Sequence, residues 1–318
     1  MKNNRVENRI NSLLGTPTVE KQAGLAYSLN AVLPSLLLII CILFFSVFGL
    51  IQEGYETQDW FLYFSYLLPQ VSILLLTALL FKWDNRSVKQ ALSAQKCKPK
   101  YFIWGILLQI GLLALSQLNT VFLSFLEKFG YEVADITLPN MEGLGFIGVL
   151  IVVAIMPAIC EEILFRGFLL NGLKCFSKVG TVLLCGALFS LFHQNPAQTA
   201  YQFCCGAAFA LIALRANSIL PTVLSHFLNN ATILITLKVF GETFTLPSPL
   251  DVVFLVVCVF CLVVSLIYLI FIDKGEPQTE KTTNEFVIKT KKQSFVVFAS
   301  VGILICIVSW LAVFFKGL

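Results

Sequence analysis

Long uncharged apolar stretches constrain this chain most. Residues 31–51 (AVLPSLLLIICILFFSVFGLI) and 252–272 (VVFLVVCVFCLVVSLIYLIFI) contain no charged side chain. A helix needs about 20 such residues to cross the hydrocarbon core of a bilayer. Only 13% of the 318 residues are charged, about half the share that is usual in soluble domains. One soluble core could not bury so many such runs, so the sequence predicts an all-α, polytopic membrane protein.

Apolar runs recur along the chain and predict about eight or nine transmembrane helices. Two of the runs are short, and Pro196 between them is expected to end a helix because proline has no N–H to donate. The first run is long enough to span, which favours a retained helix over a cleaved signal peptide. The predicted segments are 31–51, 60–81, 101–125, 143–171, 179–196, 200–214, 217–239, 252–272 and 294–315.

Lysine and arginine are concentrated in alternate loops, and this sets the predicted orientation. The loops 82–100 and 273–293 are rich in lysine, whereas 52–59 (QEGYETQD) and 194–199 (QNPAQT) contain neither basic residue. Because basic residues favour cytoplasmic loops, the N-terminus is predicted to be cytoplasmic. With nine spans the C-terminus lies outside, and with eight it returns inside. A bacterial plasma membrane is the expected location.

The ten cysteines lie mostly within apolar runs and are predicted to be packing residues. Disulfide frameworks belong to small secreted domains with cysteines in loops. Cys258 and Cys261 form a CxxC spacing inside one apolar run. A thiol in apolar surroundings is poorly reactive, so this pair is not expected to carry redox or metal chemistry.

Ionisable groups within the apolar runs are few and fall in one third of the chain. Such groups are costly in a membrane and are functional candidates by default. Both histidines of the protein are among them. The candidate residues are Glu161, Glu162 and Arg166 in PAICEEILFRGFLL, His193 in ALFSLFHQNP, and His226 and Asn230 in PTVLSHFLNN.

Helical spacing separates the roles of the two adjacent glutamates. Glu162 and Arg166 are four residues apart, which favours an ion pair on one helix face. Glu161 is rotated from Glu162 by about 100°, so it can face a cavity while its neighbour is paired. His226 and Asn230 are also four apart and share a face.

Other polar side chains in the apolar runs are expected to join helices by hydrogen bonds. They are Asn229, Gln70, Gln109 and Gln117.

The candidate site residues also have structural interpretations. Glu162 and Arg166 could form a helix-end ion pair, and Asn230 could be an interhelical hydrogen-bonding residue. The chemistry they offer together favours a functional reading. A carboxylate can take a proton from water, and imidazole or amide groups can stabilise an oxyanion. Hydrolysis of a peptide bond requires both.

Three motifs in this order resemble a known family. They read EEILFR at 161–166, FSLFH at 189–193 and HFLNN at 226–230. The pattern EExxxR, FxxxH and HxxxN is similar to the CPBP (CAAX protease and bacteriocin-processing, or Abi) family of intramembrane endopeptidases. The resemblance divides the chain into a cytoplasmic N-terminal segment (1–30), N-terminal helices (31–125), a family-like catalytic core with a polar cavity (143–240) and C-terminal helices (252–315).

The resemblance implies a role for each motif residue. Glu161 would activate water with help from His193, and His226 and Asn230 would bind the oxyanion or orient the substrate. The pair of Glu162 and Arg166 would support the site.

The family contains several activities. Some members remove the last three residues of a prenylated CAAX tail, some process bacteriocin or signal peptides, and others give self-immunity to toxins or act as scaffolds. The expected activity is therefore cleavage near the end of a membrane-associated protein or peptide, with or without a prenyl group. Two alternatives stay open: a non-catalytic immunity or scaffold protein of the same fold, and a proton- or ion-coupled transporter.

Metal dependence is left open by the sequence. Glu161, His193 and His226 would supply two imidazoles and a carboxylate, a donor set found in catalytic zinc sites. The HxxxN spacing differs from the HExxH of zinc proteases. A metal-free, glutamate-dependent reaction is the alternative.

The depth of the two central residues conflicts with the predicted segments. At 1.5 Å per residue, Glu161 lies nearer the cytoplasmic side of the 143–171 helix. A helix over 179–196 would carry His193 towards the outer side. Both can line one cavity only if the helices are offset, tilted or broken.

Overall fold

The computed structural model describes residues 17–83, 94–133, 137–241, 245–276 and 285–318. All regular elements in these ranges are helical. Eight of the helices are long and apolar enough to cross a membrane, and α5 is shorter. The all-α, polytopic membrane fold is thus confirmed. The helices are α1 Val19–Val47, α2 Asp59–Trp83, α3 Lys100–Glu127, α4 Leu144–Leu173, α5 Lys178–Phe192, α6 Thr199–Ala216, α7 Leu220–Phe240, α8 Leu250–Ile272 and α9 Glu285–Lys316.

Contacts between helix ends show how the chain alternates across the membrane. Lys100 at the start of α3 forms an ion pair with Asp273 at the end of α8. At the other surface, Lys238 near the end of α7 pairs with Glu142, just before α4, at 3.0 Å. Loops predicted to share a side are therefore on one side. The cytoplasmic assignment of that side stays a prediction, and residues 1–16 and 84–93, which hold part of the predicted charge, lie outside the described residues.

The first helix begins at Val19, earlier than the predicted 31. Its polar first turns pack against α9: the Ser28 hydroxyl donates to the Phe298 carbonyl at 2.6 Å. At Gly24, a Cβ would lie 2.7 Å from a backbone oxygen of α9. A search for apolar runs misses such a segment because its polar and small residues are buried by a partner helix. For the same reason α9 begins before the predicted 294.

Helix α4 is interrupted by two π-helical segments. They cover Leu150–Ile155 and Ile163–Leu169, on either side of the α-helical turn Met156–Glu162. Pro157 lies at the start of that turn and has no N–H, so it cannot donate to the carbonyl four residues earlier. π-Helical segments are frequent at functional sites, and here they flank both glutamates.

Helices α5 and α6 form a hairpin that turns within the protein. The predicted end of α5 at 196 was wrong: the helix ends at Phe192, and Pro196 instead begins a 3-10 turn. The turn is tied to α3 because Asn119 Nδ2 donates to the Ala197 carbonyl at 2.9 Å. Irregular backbone is tolerated at membrane depth where protein groups satisfy it.

Counting from the surface at which α4 ends and α5 begins resolves the depth conflict. Glu161 lies 12 residues before the end of α4 at Leu173, and His193 lies 15 residues after the start of α5 at Lys178. These counts correspond to about 18 and 22 Å from the same surface. Glu161 and His193 therefore lie at similar depth, since α4 continues two residues beyond the predicted 171.

Candidate active site

Glu162 is buried; two groups bind its Oε1, and its Oε2 is buried without a hydrogen-bond partner among the described residues. Arg166 Nη1 donates to Glu162 Oε1 at 2.7 Å, and His226 Nδ1 lies 3.0 Å from the same oxygen. Arg166 Nη2 donates to the Gly206 carbonyl at 3.1 Å, and its guanidinium lies 4.6 Å from the Phe189 ring centre. The ion pair predicted from helical spacing is present, and it joins α4, α6 and α7.

Glu161 is partly buried and has a different environment. Its Oε2 is buried and has no hydrogen-bond partner within the described part of the chain. The carboxylate interacts electrostatically with His193 at the end of α5. A buried polar atom without a partner is costly, and Glu162 Oε2 is in the same situation. Because Glu162 is paired with Arg166 and Glu161 has no ion pair with the described residues, the Glu161 carboxylate is the more available acceptor.

Both histidines are held through Nδ1. His193 Nδ1 lies 2.8 Å from the Phe189 carbonyl oxygen, which can only accept. His226 Nδ1 faces the Glu162 carboxylate. Each Nδ1 therefore carries a proton. In a neutral imidazole the other nitrogen is then an acceptor, so each Nε2 can accept from water and becomes a donor only after protonation.

Asn230 is joined to a polar chain that links four helices. Its Oδ1 accepts from Asn229 Nδ2 at 3.1 Å, and its Nδ2 donates to the Val153 carbonyl at 3.2 Å. Asn229 Oδ1 accepts from Gln109 Nε2 and from Tyr201 Oη, both at 2.8 Å. The predicted interhelical role of Asn229 and Gln109 is confirmed.

Sequence reasoning missed Tyr201 and Gly206. A tyrosine in a membrane segment is usually assigned to the interface, and the sequence carries no signal for its partner. Gly206 allows α6 to pack closely against α5, because a Cβ at this position would lie 2.9 Å from Gly186 Cα.

Two other amides were predicted to join helices. Gln70 is buried, with Oε1 unpartnered in the described chain, whereas Gln117 is exposed on α3.

The residues named for a conditional zinc site do not form a ligand cluster. Within the described residues, no three His, Cys, Asp or Glu side chains are grouped so as to hold a metal ion. His226 keeps Nε2 free when Nδ1 is bound to Glu162, but Glu161, His193 and His226 are not grouped as a ligand set. This arrangement does not fit a metal centre, and the mechanism below has no metal-dependent step.

An apolar groove is lined by residues other than those of the polar cluster. It has a volume of about 990 Å³ and lies between α3, the α5–α6 hairpin and α9. None of the predicted site residues is among its described lining residues, and none of those carries a carboxylate, an amine, a guanidinium or an imidazole. The groove therefore suits apolar groups, and the chemistry belongs to the polar cluster. Its lining includes Phe122, Ser190, Phe203 and Trp310.

The fold and the site together define a polytopic membrane protein with a buried cluster of carboxylates, imidazoles and an amide. Residues 143–232 match the family model described as type II CAAX prenyl endopeptidase Rce1-like. That range covers less than a third of the chain and contains every predicted site residue. No curated protein and no solved structure gives a match. Residues 143–232 thus carry an Rce1-like domain, which confirms the family resemblance and supports an intramembrane protease.

Proposed function

We propose that this protein is an intramembrane endopeptidase that hydrolyses a peptide bond near the end of a membrane-associated protein or peptide by means of glutamate-activated water. The observation that carries the proposal is the different use of two adjacent carboxylates. Glu162 is neutralised by Arg166 and bound by His226. Each glutamate has one buried oxygen without a hydrogen-bond partner in the described chain, but Glu161 forms no ion pair with the described residues. One carboxylate holds the helices together while the other is free to take a proton.

The reaction follows from the acceptors and donors at the site. A water molecule donates one hydrogen to Glu161 and is oriented by His193 Nε2, which is an acceptor in the neutral ring. Glu161 takes the proton as the water oxygen attacks the scissile carbonyl carbon. The same proton then passes to the leaving amine, so that Glu161 returns to its carboxylate form.

The oxyanion needs donors, and the site residues differ in their capacity to provide them. Asn230 has one amide N–H beyond the bond to Val153, and it is a donor at any pH. His226 Nε2 donates only when its ring is protonated, since Nδ1 is bound to Glu162. The proposed role of His226 in oxyanion binding therefore requires the imidazolium form, whereas Asn230 requires no proton uptake.

The substrate class is suggested by the family match. A tail ending in a CAAX sequence, with a prenyl group on its cysteine, is the substrate type named by that family description. Cleavage between the modified cysteine and the next residue would release the last three residues. The lipid requirement is a separate part of the proposal, because the polar cluster acts on the peptide bond and not on the lipid.

A cleavage assay on purified protein in detergent tests the proposed function. Fluorogenic CAAX peptides with and without a prenyl group would be offered to wild type, Glu161→Gln and His193→Ala, each with and without a chelator. We expect turnover by wild type and its loss in both variants. Full activity of Glu161→Gln would contradict the proposed base, and loss of wild-type turnover on chelation would contradict the metal-free mechanism. Toxin protection that survives loss of Glu161, His193 and His226 would favour a non-catalytic role instead.

A further inference from the structure

The polar chain that ends at Asn230 has a direction that the backbone fixes. Pro157 has no N–H, so the carbonyl of Val153, four residues earlier in α4, has no α-helical donor. Asn230 Nδ2 donates to this carbonyl at 3.2 Å. A carbonyl oxygen can only accept, and the amide of Asn230 must therefore turn its nitrogen towards α4.

The direction of this hydrogen bond determines the direction of the bonds that follow it along the polar chain. With its nitrogen towards Val153, Asn230 presents Oδ1 to Asn229, whose Nδ2 donates to it at 3.1 Å. Asn229 must then turn Oδ1 the other way, where Gln109 and Tyr201 both donate at 2.8 Å. Amide orientations are otherwise ambiguous from geometry alone, but here a single acceptor at one end sets all of them.

The two outer donors saturate Asn229. Its Oδ1 has two lone pairs, and Gln109 from α3 and Tyr201 from α6 occupy both. Asn229 is buried, with 3% of its surface exposed, so an unmet lone pair there would be costly. The saturated Oδ1 leaves Asn229 only one way to turn, with its nitrogen on Asn230.

We infer that Gln109, Tyr201 and Asn229 are positioning residues that hold the Asn230 amide with its free N–H towards the reacting carbonyl. The inference rests on the proposed function, since it assigns these residues to the donor side of that reaction. The reverse orientation would present an acceptor oxygen, which repels a developing oxyanion. The polar chain of hydrogen bonds thus selects the only orientation of the Asn230 amide that can stabilise the transition state.

Double-mutant cycles test this inference. The variants are Tyr201→Phe, Asn230→Ala and their combination, with Tyr63→Phe as the matched control. Tyr63 also donates a hydroxyl bond to a backbone carbonyl, that of Gly145 at 3.0 Å, but it is not part of the polar chain. Asn229→Asp is added because a carboxylate has no proton to donate to Asn230 Oδ1.

We expect Tyr201→Phe to lower kcat about tenfold, the effect of one lost buried hydrogen bond, with KM unchanged. In the Asn230→Ala background it should lower kcat no further, because the group that it positions is gone. Asn229→Asp should lower kcat at least as much as Asn230→Ala does, and Tyr63→Phe should leave kcat unchanged. Effects of Tyr201→Phe and Asn230→Ala that multiply, or a Tyr201→Phe enzyme with wild-type kcat, would overturn the inference.

Melting temperatures of the same variants separate this inference from the proposed function. If the effects of Tyr201→Phe and Asn230→Ala on the melting temperature are coupled, the polar chain of hydrogen bonds exists whether or not peptide is cut. If wild type cleaves and the kcat cycle shows no coupling, the positioning role is wrong and the protease stands. If wild type cuts no peptide although the polar chain of hydrogen bonds is intact, the proposed function fails and the positioning role fails with it.

Discussion

At the scale of single residues, the central feature is that two neighbouring glutamates have different roles. Helical spacing predicted the pair of Glu162 and Arg166, and the structure contains it. Spacing could not predict that His226 also binds Glu162, because that contact depends on how α4 and α7 pack. The motif residues were therefore identified from sequence, whereas the partner of each histidine was not.

Arg166 gives a prediction at this scale. Its guanidinium bonds Glu162 and the Gly206 carbonyl and stacks on Phe189. In Arg166→Lys one ammonium cannot reproduce this planar, forked geometry. We expect a loss of about 2–3 kcal/mol in stability, measured as a lower melting temperature. Arg215→Lys, at a more exposed site with one carbonyl bond to Ile270, is the control, and an equal loss there would contradict the argument.

At the scale of helices, the structure departs most from the sequence in α4 and α5. An apolar run gives no signal for where its helix stops, so α5 was extended to Pro196. The π segments of α4 leave no periodic signature, because nearly all of their residues are apolar. The apparent depth mismatch between Glu161 and His193 disappears when both are counted from the surface at which α4 ends, at Leu173, and α5 begins, at Lys178.

The contact between α5 and α6 is testable through Gly186. A Cβ at this position would lie 2.8 Å from the Phe203 carbonyl oxygen and 2.9 Å from the Ala207 nitrogen, both backbone atoms. Gly186→Ala should separate the helices and cost about 1–3 kcal/mol. Gly180→Ala on the same helix, where a Cβ would meet only side-chain atoms, is the control. A Gly186→Ala protein as stable as this control would show that the close contact is unimportant.

Pro157 offers a prediction that separates stability from activity. Pro157→Ala restores an N–H that can bond the Val153 carbonyl within α4 and so compete with Asn230. We expect an unchanged or higher melting temperature and a lower kcat. Pro34→Ala, within α1, is the control and should leave kcat unchanged. A Pro157→Ala enzyme with wild-type kcat would contradict the proposed link between the freed carbonyl and Asn230.

At the scale of the whole molecule, the family-matched region is enclosed by helices that the match does not cover. Helices α1 and α9 run in parallel, with Glu20 and Lys291 3.4 Å apart near their N-terminal ends. Helices α3 and α8 run antiparallel and meet at Lys100 and Asp273. The number and order of these helices were predictable from apolar runs, but their pairing was not, because lipid-facing and buried faces have similar composition.

The predicted orientation can be tested by thiol labelling in intact cells. Glu53→Cys and Lys178→Cys each place a thiol at an exposed position, on opposite sides of the predicted topology. A membrane-impermeant maleimide should label Glu53→Cys in intact cells and Lys178→Cys only after lysis. The wild-type protein gives the background from its native cysteines. The reverse labelling pattern would place the N-terminus outside.

The central claim, that Glu161 performs the chemistry and Glu162 holds the fold, is tested most directly by Glu161→Gln and Glu162→Gln measured side by side. For each variant, peptide turnover and melting temperature would be recorded on the same preparation. We expect Glu161→Gln to lower turnover by about 10²-fold or more and to keep the wild-type melting temperature. Glu162→Gln should lower the melting temperature clearly, since removing one partner of a buried ion pair costs about 3–5 kcal/mol. Turnover retained in Glu161→Gln, or a melting temperature unchanged in Glu162→Gln, would contradict this assignment.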